Sequence, residues 1–254
     1  MRFFLDQHGC AKNQVVGELI LSAMADLGWE KTEEPERADL VIVNSCGFIE
    51  SAKKESIDAV ITARVSCPRA KVLLAGCLAE RYADDLAEGL QEADAFFGNG
   101  DLSRLPEIID LLFPGATAGA SGAAASATGE SAQIDSVSEE SGPRRAPILK
   151  PAQTGVCAGP RPTLLSFPRS AYVKVTEGCN NRCSFCAIPL IRGDLRSRTI
   201  LEIADECRSL VARGIFEINL IGQDLSSYGK GADDAVGLPA GGGDSDAVDP
   251  SGNA

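Results

Sequence analysis

The run Leu40-Val41-Ile42-Val43 is apolar at four consecutive positions, and so is Val72-Leu73-Leu74-Ala75. A strand with one face in water alternates apolar and polar residues. A continuous apolar run needs cover on both faces, which a parallel sheet between two layers of helices provides. The intervening sequence can supply those helices. Asn13 is placed to cap a helix with the apolar stripe Val16, Leu19, Ile20, Ala23, Met24 and Leu27, ended by Gly28. Ser51 is placed to cap another that buries Ile57, Val60, Ile61 and Val65. A short helix is expected over Asp84–Leu90. A longer amphipathic one is expected through Leu102, Leu105, Ile108, Ile109 and Leu112. With Phe3-Phe4-Leu5 and Ala95-Phe96-Phe97 as further strands, residues 1–113 read as an α/β domain with a parallel sheet.

The pattern then stops. Residues 114–169 include the Ala/Gly/Ser-rich stretch Ala118–Ala127 and recurrent prolines, and read as a flexible linker or insertion. It is too long for a structureless loop inside one compact domain, so it separates two domains. A second pattern runs over 170–229. Ala171–Thr176 is a strand, and a helix carries Ile200, Ile203, Ala204, Cys207, Leu210 and Val211. Phe216–Ile221 is the next strand. One βαβ unit cannot bury both faces of its sheet, so this domain is expected to be the first part of something larger. Residues 230–254 are Gly/Asp/Ala-rich and read as a disordered tail.

Nine cysteines is an odd number, and the polar start Met1-Arg2-Phe3-Phe4-Leu5-Asp6 is no secretion signal. Metal ligands or reduced thiols are therefore expected rather than a disulfide framework, in a soluble cytoplasmic protein. His8 is the sole histidine, which excludes a histidine-rich zinc site. Residues 1–113 carry 11 Lys/Arg against 20 Asp/Glu, a net charge of −9. Such a domain is a poor ligand for a phosphate backbone, so direct nucleic-acid binding is not expected and a protein substrate is favoured.

The densest chemistry lies in Gly178-Cys179-Asn180-Asn181-Arg182-Cys183-Ser184-Phe185-Cys186, just past a strand. Thiolates at C-x3-C-x2-C spacing suit an iron–sulfur cluster or zinc. Structural zinc takes four ligands, and this loop has three with no histidine. A cubane on three cysteines keeps one iron open to a small substrate. In the first domain, Cys10, Cys46 and Cys77 each follow a strand and sit beside glycine. Carboxyl ends of parallel strands share one sheet edge, so the three can meet there. Ordinary buried cysteines are the competing reading. Cys67 in a connection, Cys157 in the linker and Cys207 on a helix stripe are read as plain structural residues. His8 is placed to tune a site at Cys10.

The cysteine loop, with Ala187-Ile188-Pro189-Leu190-Ile191-Arg192-Gly193 and Arg196-Ser197-Arg198 behind it, resembles the methylthiotransferase branch of the radical S-adenosylmethionine (radical SAM) enzymes. Asn44-Ser45-Cys46-Gly47-Phe48-Ile49-Glu50-Ser51-Ala52 and Ala75-Gly76-Cys77-Leu78-Ala79-Glu80-Arg81-Tyr82 are similar to motifs of that branch's N-terminal domain. The resemblance implies that 170–229 begins a partial (β/α) barrel. It implies that Cys179, Cys183 and Cys186 hold a [4Fe–4S] cluster whose open iron is chelated by SAM, and that Cys10, Cys46 and Cys77 hold a second, auxiliary [4Fe–4S] cluster. Cleavage of SAM would then yield a radical that takes hydrogen from the β-carbon of an aspartate in a small-subunit ribosomal protein. The auxiliary cluster would present the sulfur of the methylthio group. An electron donor such as flavodoxin or ferredoxin is implied as a partner. Phe185 is expected near the SAM adenine, and Gln223 and Asp224 at the carboxyl end of the second barrel strand are expected to contact SAM. Arg192, Arg196 and Arg198 are taken as solvated surface. No acid–base catalyst is expected. The alternatives are a transfer-RNA adenosine methylthiotransferase of the same branch and an inactive iron–sulfur-binding fragment.

Overall fold

The computed structural model describes residues 1–115 and 145–231. The expectations for 116–144 and for the tail beyond 231 lie outside the described residues. The first layer of the chain runs β1 (Arg2–Gln7), α1 (Ala11–Asp26), β2 (Glu30–Lys31), β3 (Leu40–Ser45), α2 (Glu50–Ser66), β4 (Lys71–Gly76), α3 (Cys77–Gly89), β5 (Ala95–Phe97) and α4 (Leu105–Leu112). A sixth strand, β6 (Ile148–Leu149), completes a wholly parallel sheet of order β2-β1-β3-β4-β5-β6. In such a sheet the chain reverses its direction of winding between β1 and β3, and the crevice beyond their carboxyl ends is where ligands bind.

The apolar runs behave as their composition requires. All six residues of β3 are buried. Leu40 and Ile42 face one core with Leu73, Phe3 and the stripe of α1, whereas Val41 and Val43 face the other with Val72, Leu74, Val60 and Ala83. Each fully buried aliphatic side chain of this kind is worth about 1.5–3 kcal/mol relative to exposure.

Several local expectations are corrected. The N-cap of α1 is Cys10, not Asn13, and the N-cap of α2 is Ile49, not Ser51. Asn13 lies inside α1, where its amide serves the strand ends instead. In α2, Ile61 and Val65 are exposed, so the buried stripe is Ala52, Ser56, Val60 and Ala63. The helix expected at 84–90 begins seven residues earlier, at Cys77.

The segment 145–169 is also not a free linker. Ile148 and Leu149 pair with Phe96 and Phe97 of β5. Downstream, buried Arg161 pairs with Glu18 of α1 and with Glu206, and donates to the Tyr172 carbonyl at 2.8 Å. These ties are polar and long-range, so no apolar periodicity announces them.

The second unit comprises β7 (Ser170–Lys174), β8 (Thr176–Glu177), α5 (Ile188–Arg192), β9 (Arg196–Ser197), α6 (Ile200–Ala212) and β10 (Glu217–Ile221). β7 and β10 are parallel neighbours with α6 as their crossover, the expected βαβ unit. Thr199 and Glu202 form a reciprocal capping box that starts α6. Leu210 and Ile203 cover one face of Ala171 and Val173, with Cys207 partly buried among them.

Candidate metal centres

Cys10, Cys46 and Cys77 follow β1, β3 and β4, which are adjacent in the sheet, so all three leave its carboxyl edge side by side. The backbone there is held by a buried polar net. Asn13 Nδ2 donates to the carbonyls of His8, Asn44 and Ser45 at 2.7, 3.1 and 3.2 Å, tying together the loops that carry Cys10 and Cys46. The Cys46 amide donates to Ser56 Oγ at 3.1 Å, and the Leu78 amide donates to Ser45 Oγ at 3.3 Å. Gly47 permits the closest approach: a Cβ there would sit 2.5 Å from the Cys77 carbonyl oxygen. Gly9, beside Cys10, lies against Cys46: a Cβ there would sit 3.0 Å from the Cys46 Cβ and 3.5 Å from its Sγ.

The Cys77 sulfur accepts from Asn99 Nδ2 at 3.3 Å and from Arg192 Nη2 at 3.2 Å. Burial pushes this thiol up, and Arg192 opposes the shift. Arg192 is 3% exposed and pairs with Glu177 at 2.7 Å. Arg198 is buried and pairs with Glu206, and Arg196 donates to the carbonyls of Gly155, Arg192 and Asp194. The expectation of solvated arginines is therefore corrected for Arg192 and Arg198, whereas Arg196 is half-buried. Each sits where a buried carboxylate or a carbonyl needs a donor, a fact that spacing in sequence does not carry.

His8 lies against Asp6 (3.1 Å) and Glu55 (3.3 Å). The adjoining Asp6 carboxylate, against the effect of burial, raises its pKa. Cys67 is buried at the end of α2, and Cys157 is half-buried near the Asn99 and Gly100 carbonyls.

The second triad sits in a loop cinched at its base by β8 pairing antiparallel with β9. Gly178 starts the loop at φ 72°, and a Cβ there would lie 2.0 Å from the Asp194 oxygen. The Cys179 amide donates to Gly193 O at 3.2 Å, and the Cys186 amide donates to Cys183 O at 3.0 Å. Cys183 is exposed, and Cys179 and Cys186 are half-buried. Asn181 ties the loop to the end of β10 by donating to Asp224 Oδ2 at 3.1 Å. Asp224 also accepts from Ser226 and Ser227, and these hydrogen bonds hold its carboxyl far below the usual range. Gln223 is half-buried beside it, and Phe185 is 90% exposed. The Thr176 hydroxyl is buried at the carboxyl end of the barrel strands, beside Gly222, and finds no partner among the described residues.

Among the described residues, no three His, Cys, Asp or Glu are disposed to hold a single metal ion. A cubane binds its three thiolates through three different irons, a wider spacing than three ligands of one ion. The donor chemistry at both triads suits such a cluster: soft thiols, small or open surroundings, and the buried Arg192 guanidinium against Cys77. The triads adjoin one another, since Cys77 packs on Ala187 and Ile191, just past Cys186.

A model described as uncharacterized protein family UPF0004 matches residues 2–98, and one for the radical SAM superfamily matches residues 173–239. A protein of Treponema denticola named ribosomal protein uS12 methylthiotransferase RimO is 54% identical over 230 residues, which is 91% of this chain and 44% of the relative. Proteins of the same name from Desulfotalea psychrophila and Caldicellulosiruptor saccharolyticus are 38% and 37% identical, covering 94% and 87% of the chain and 48% and 45% of their own lengths. The chain thus spans about half the length of these relatives. It carries a UPF0004 module followed by a radical SAM module, with a cysteine triad at the strand ends of each, and over most of its length it is similar to the methylthiotransferases named above.

Proposed function

We propose that this chain carries the two cluster sites of an enzyme that adds a methylthio group to the β-carbon of an aspartate in a small-subunit ribosomal protein. Cys179, Cys183 and Cys186 hold the SAM-binding [4Fe–4S] cluster, and Cys10, Cys46 and Cys77 hold the auxiliary one. The observation that carries the reading is the junction of the triads: Cys77 lies against the helix that follows Cys186, so the two sites serve one reaction space. The ribosomal substrate rests on the relatives' names.

A cluster held by Cys179, Cys183 and Cys186 would supply, once reduced, the single electron for SAM cleavage, chemistry beyond any side chain here. The residues of this chain provide the setting. The β8–β9 clamp and the Asn181–Asp224 bond fix the cluster loop against the second barrel strand. Thr176, Gln223 and Asp224 line the carboxyl end of that unit, where a barrel binds its substrates, and are the side chains set to meet SAM. Phe185, exposed at the loop tip, is set to cover the adenine. The net charge of −9 over residues 1–113 favours a basic protein partner over RNA. The electron donor is a small flavodoxin or ferredoxin.

The test is to incubate the reconstituted full-length gene product, with SAM and reductant, with the small-subunit ribosomal protein and with transfer RNA in parallel. Methylthio mass gain on the protein is the expected result. Gain on RNA alone, or bound clusters that never cleave SAM, would overturn the proposal.

A further inference from the structure

Cys77 borders a buried charge group larger than thiol ligation requires. Lys12 of α1, Lys174 of β7 and Arg192 of α5 converge on Glu177 of β8 at 3.1, 2.9 and 2.7 Å. No member of the group has a side chain more than 6% exposed. Lys12 also donates to the Thr176 carbonyl at 2.6 Å. Three cations thus face one carboxylate, and among the described residues no second carboxylate pairs with any of them. Surplus buried positive charge is costly unless compensated. A group able to compensate it is the Cys77 sulfur, to which Arg192 already donates at 3.2 Å.

We propose that Arg192 is a positioning residue that sets the reduction potential of the cluster on Cys10, Cys46 and Cys77, with Lys12 assisting and Glu177 as the counterweight. This rests on the two-cluster reading above. A cationic donor on a ligand sulfur favours the reduced form, which carries one more negative charge, and so raises the potential. Glu177 acts in the opposite sense and also holds the guanidinium in place through its 2.7 Å bond. Arg192 ends the helix that follows Cys186, so one residue links the two triads.

The test uses the full-length gene product with Cys179, Cys183 and Cys186 all changed to Ala, so that only the auxiliary site can load. It is reconstituted anaerobically with iron and sulfide, both are quantified, and the one-electron couple is titrated potentiometrically with dithionite and followed by EPR. No bound iron would overturn the two-cluster reading itself. With iron bound, Arg192→Met is expected to cut the ratio of reduced to oxidised cluster at fixed potential at least tenfold, ~59 mV for a one-electron couple. Arg192→Lys restores part of this, Lys12→Met shifts the same way by less, and Glu177→Gln shifts the opposite way. An unchanged potential in Arg192→Met, or shifts of one sign in both Lys12→Met and Glu177→Gln, would overturn the proposal. The last pair decides the matter if Arg192→Met fails to load iron.

Discussion

Replacing Arg161 with Met tests whether residues 145–169 clamp the two units together. The Arg161 side chain is 2% exposed, and its partners Glu18 and Glu206 are 0% and 14% exposed. Methionine keeps much of the volume but removes the charge and all the donors. Among the described residues, Glu18 then keeps neutral partners alone, the Leu165 amide at 2.8 Å and the Gln14 amide at 3.3 Å. Removing one partner of a buried ion pair costs about 3–5 kcal/mol, because a charge remains in a poor solvent. Against a typical total stability of about 5–15 kcal/mol, that is a large share. At about 2–4 °C per kcal/mol for a chain of this size, the melting temperature should fall by roughly 6–20 °C. Arg182→Met is the internal control. Its pair with Asp194 is exposed at 66% and 64%, so a loss of no more than about 1 kcal/mol is expected. Both variants are to be measured by thermal and guanidinium unfolding of the purified protein, with limited proteolysis to show whether 145–169 becomes accessible. Equal, small losses in the two variants would refute the clamp.

Other perturbations address the sites. Gly47→Ala forces a Cβ to 2.5 Å from the Cys77 carbonyl, and overpacking of this kind costs about 1–3 kcal/mol. Iron analysis should show loss from the auxiliary site and retention at the SAM loop. Asn13→Ala removes the donor from three carbonyls, which should cost about 1–3 kcal/mol in denaturant titration and loosen auxiliary-cluster binding. Changing Cys67, Cys157 and Cys207 together to Ala should leave iron content unchanged, and any loss would add one of them to the ligand set. Thr199→Ala breaks the capping box of α6 and should lower stability by about 1 kcal/mol, read by thermal unfolding.

The parallel sheet was legible because Leu40–Val43 and Val72–Ala75 admit no other environment, and the strand ends then placed Cys10, Cys46 and Cys77 on one edge. Helix starts were less legible. Asn13 has the composition of a cap, but its amide satisfies strand-end carbonyls that belong to other segments. Arg161 and β6 were hidden for a related reason: a two-residue strand and a lone arginine acquire their roles only from partners far along the chain. Arg192 is the sharpest case. Among Arg196 and Arg198 it looks like surface charge, yet Glu177 and Cys77 together make it a buried link between the two units. Local spacing signals which residue types can ligate. It does not signal which cation will be desolvated beside them.

The central claim is that two separate cysteine triads hold two clusters, and metal stoichiometry tests it most directly. Iron and acid-labile sulfide should be counted per chain in the anaerobically reconstituted protein, in Cys46→Ala, in Cys183→Ala and in the double variant. Two four-iron clusters predict about eight irons per chain, about half that in each single variant, and essentially none in the double. Full iron retention in Cys46→Ala, with loss confined to Cys183→Ala, would contradict the account.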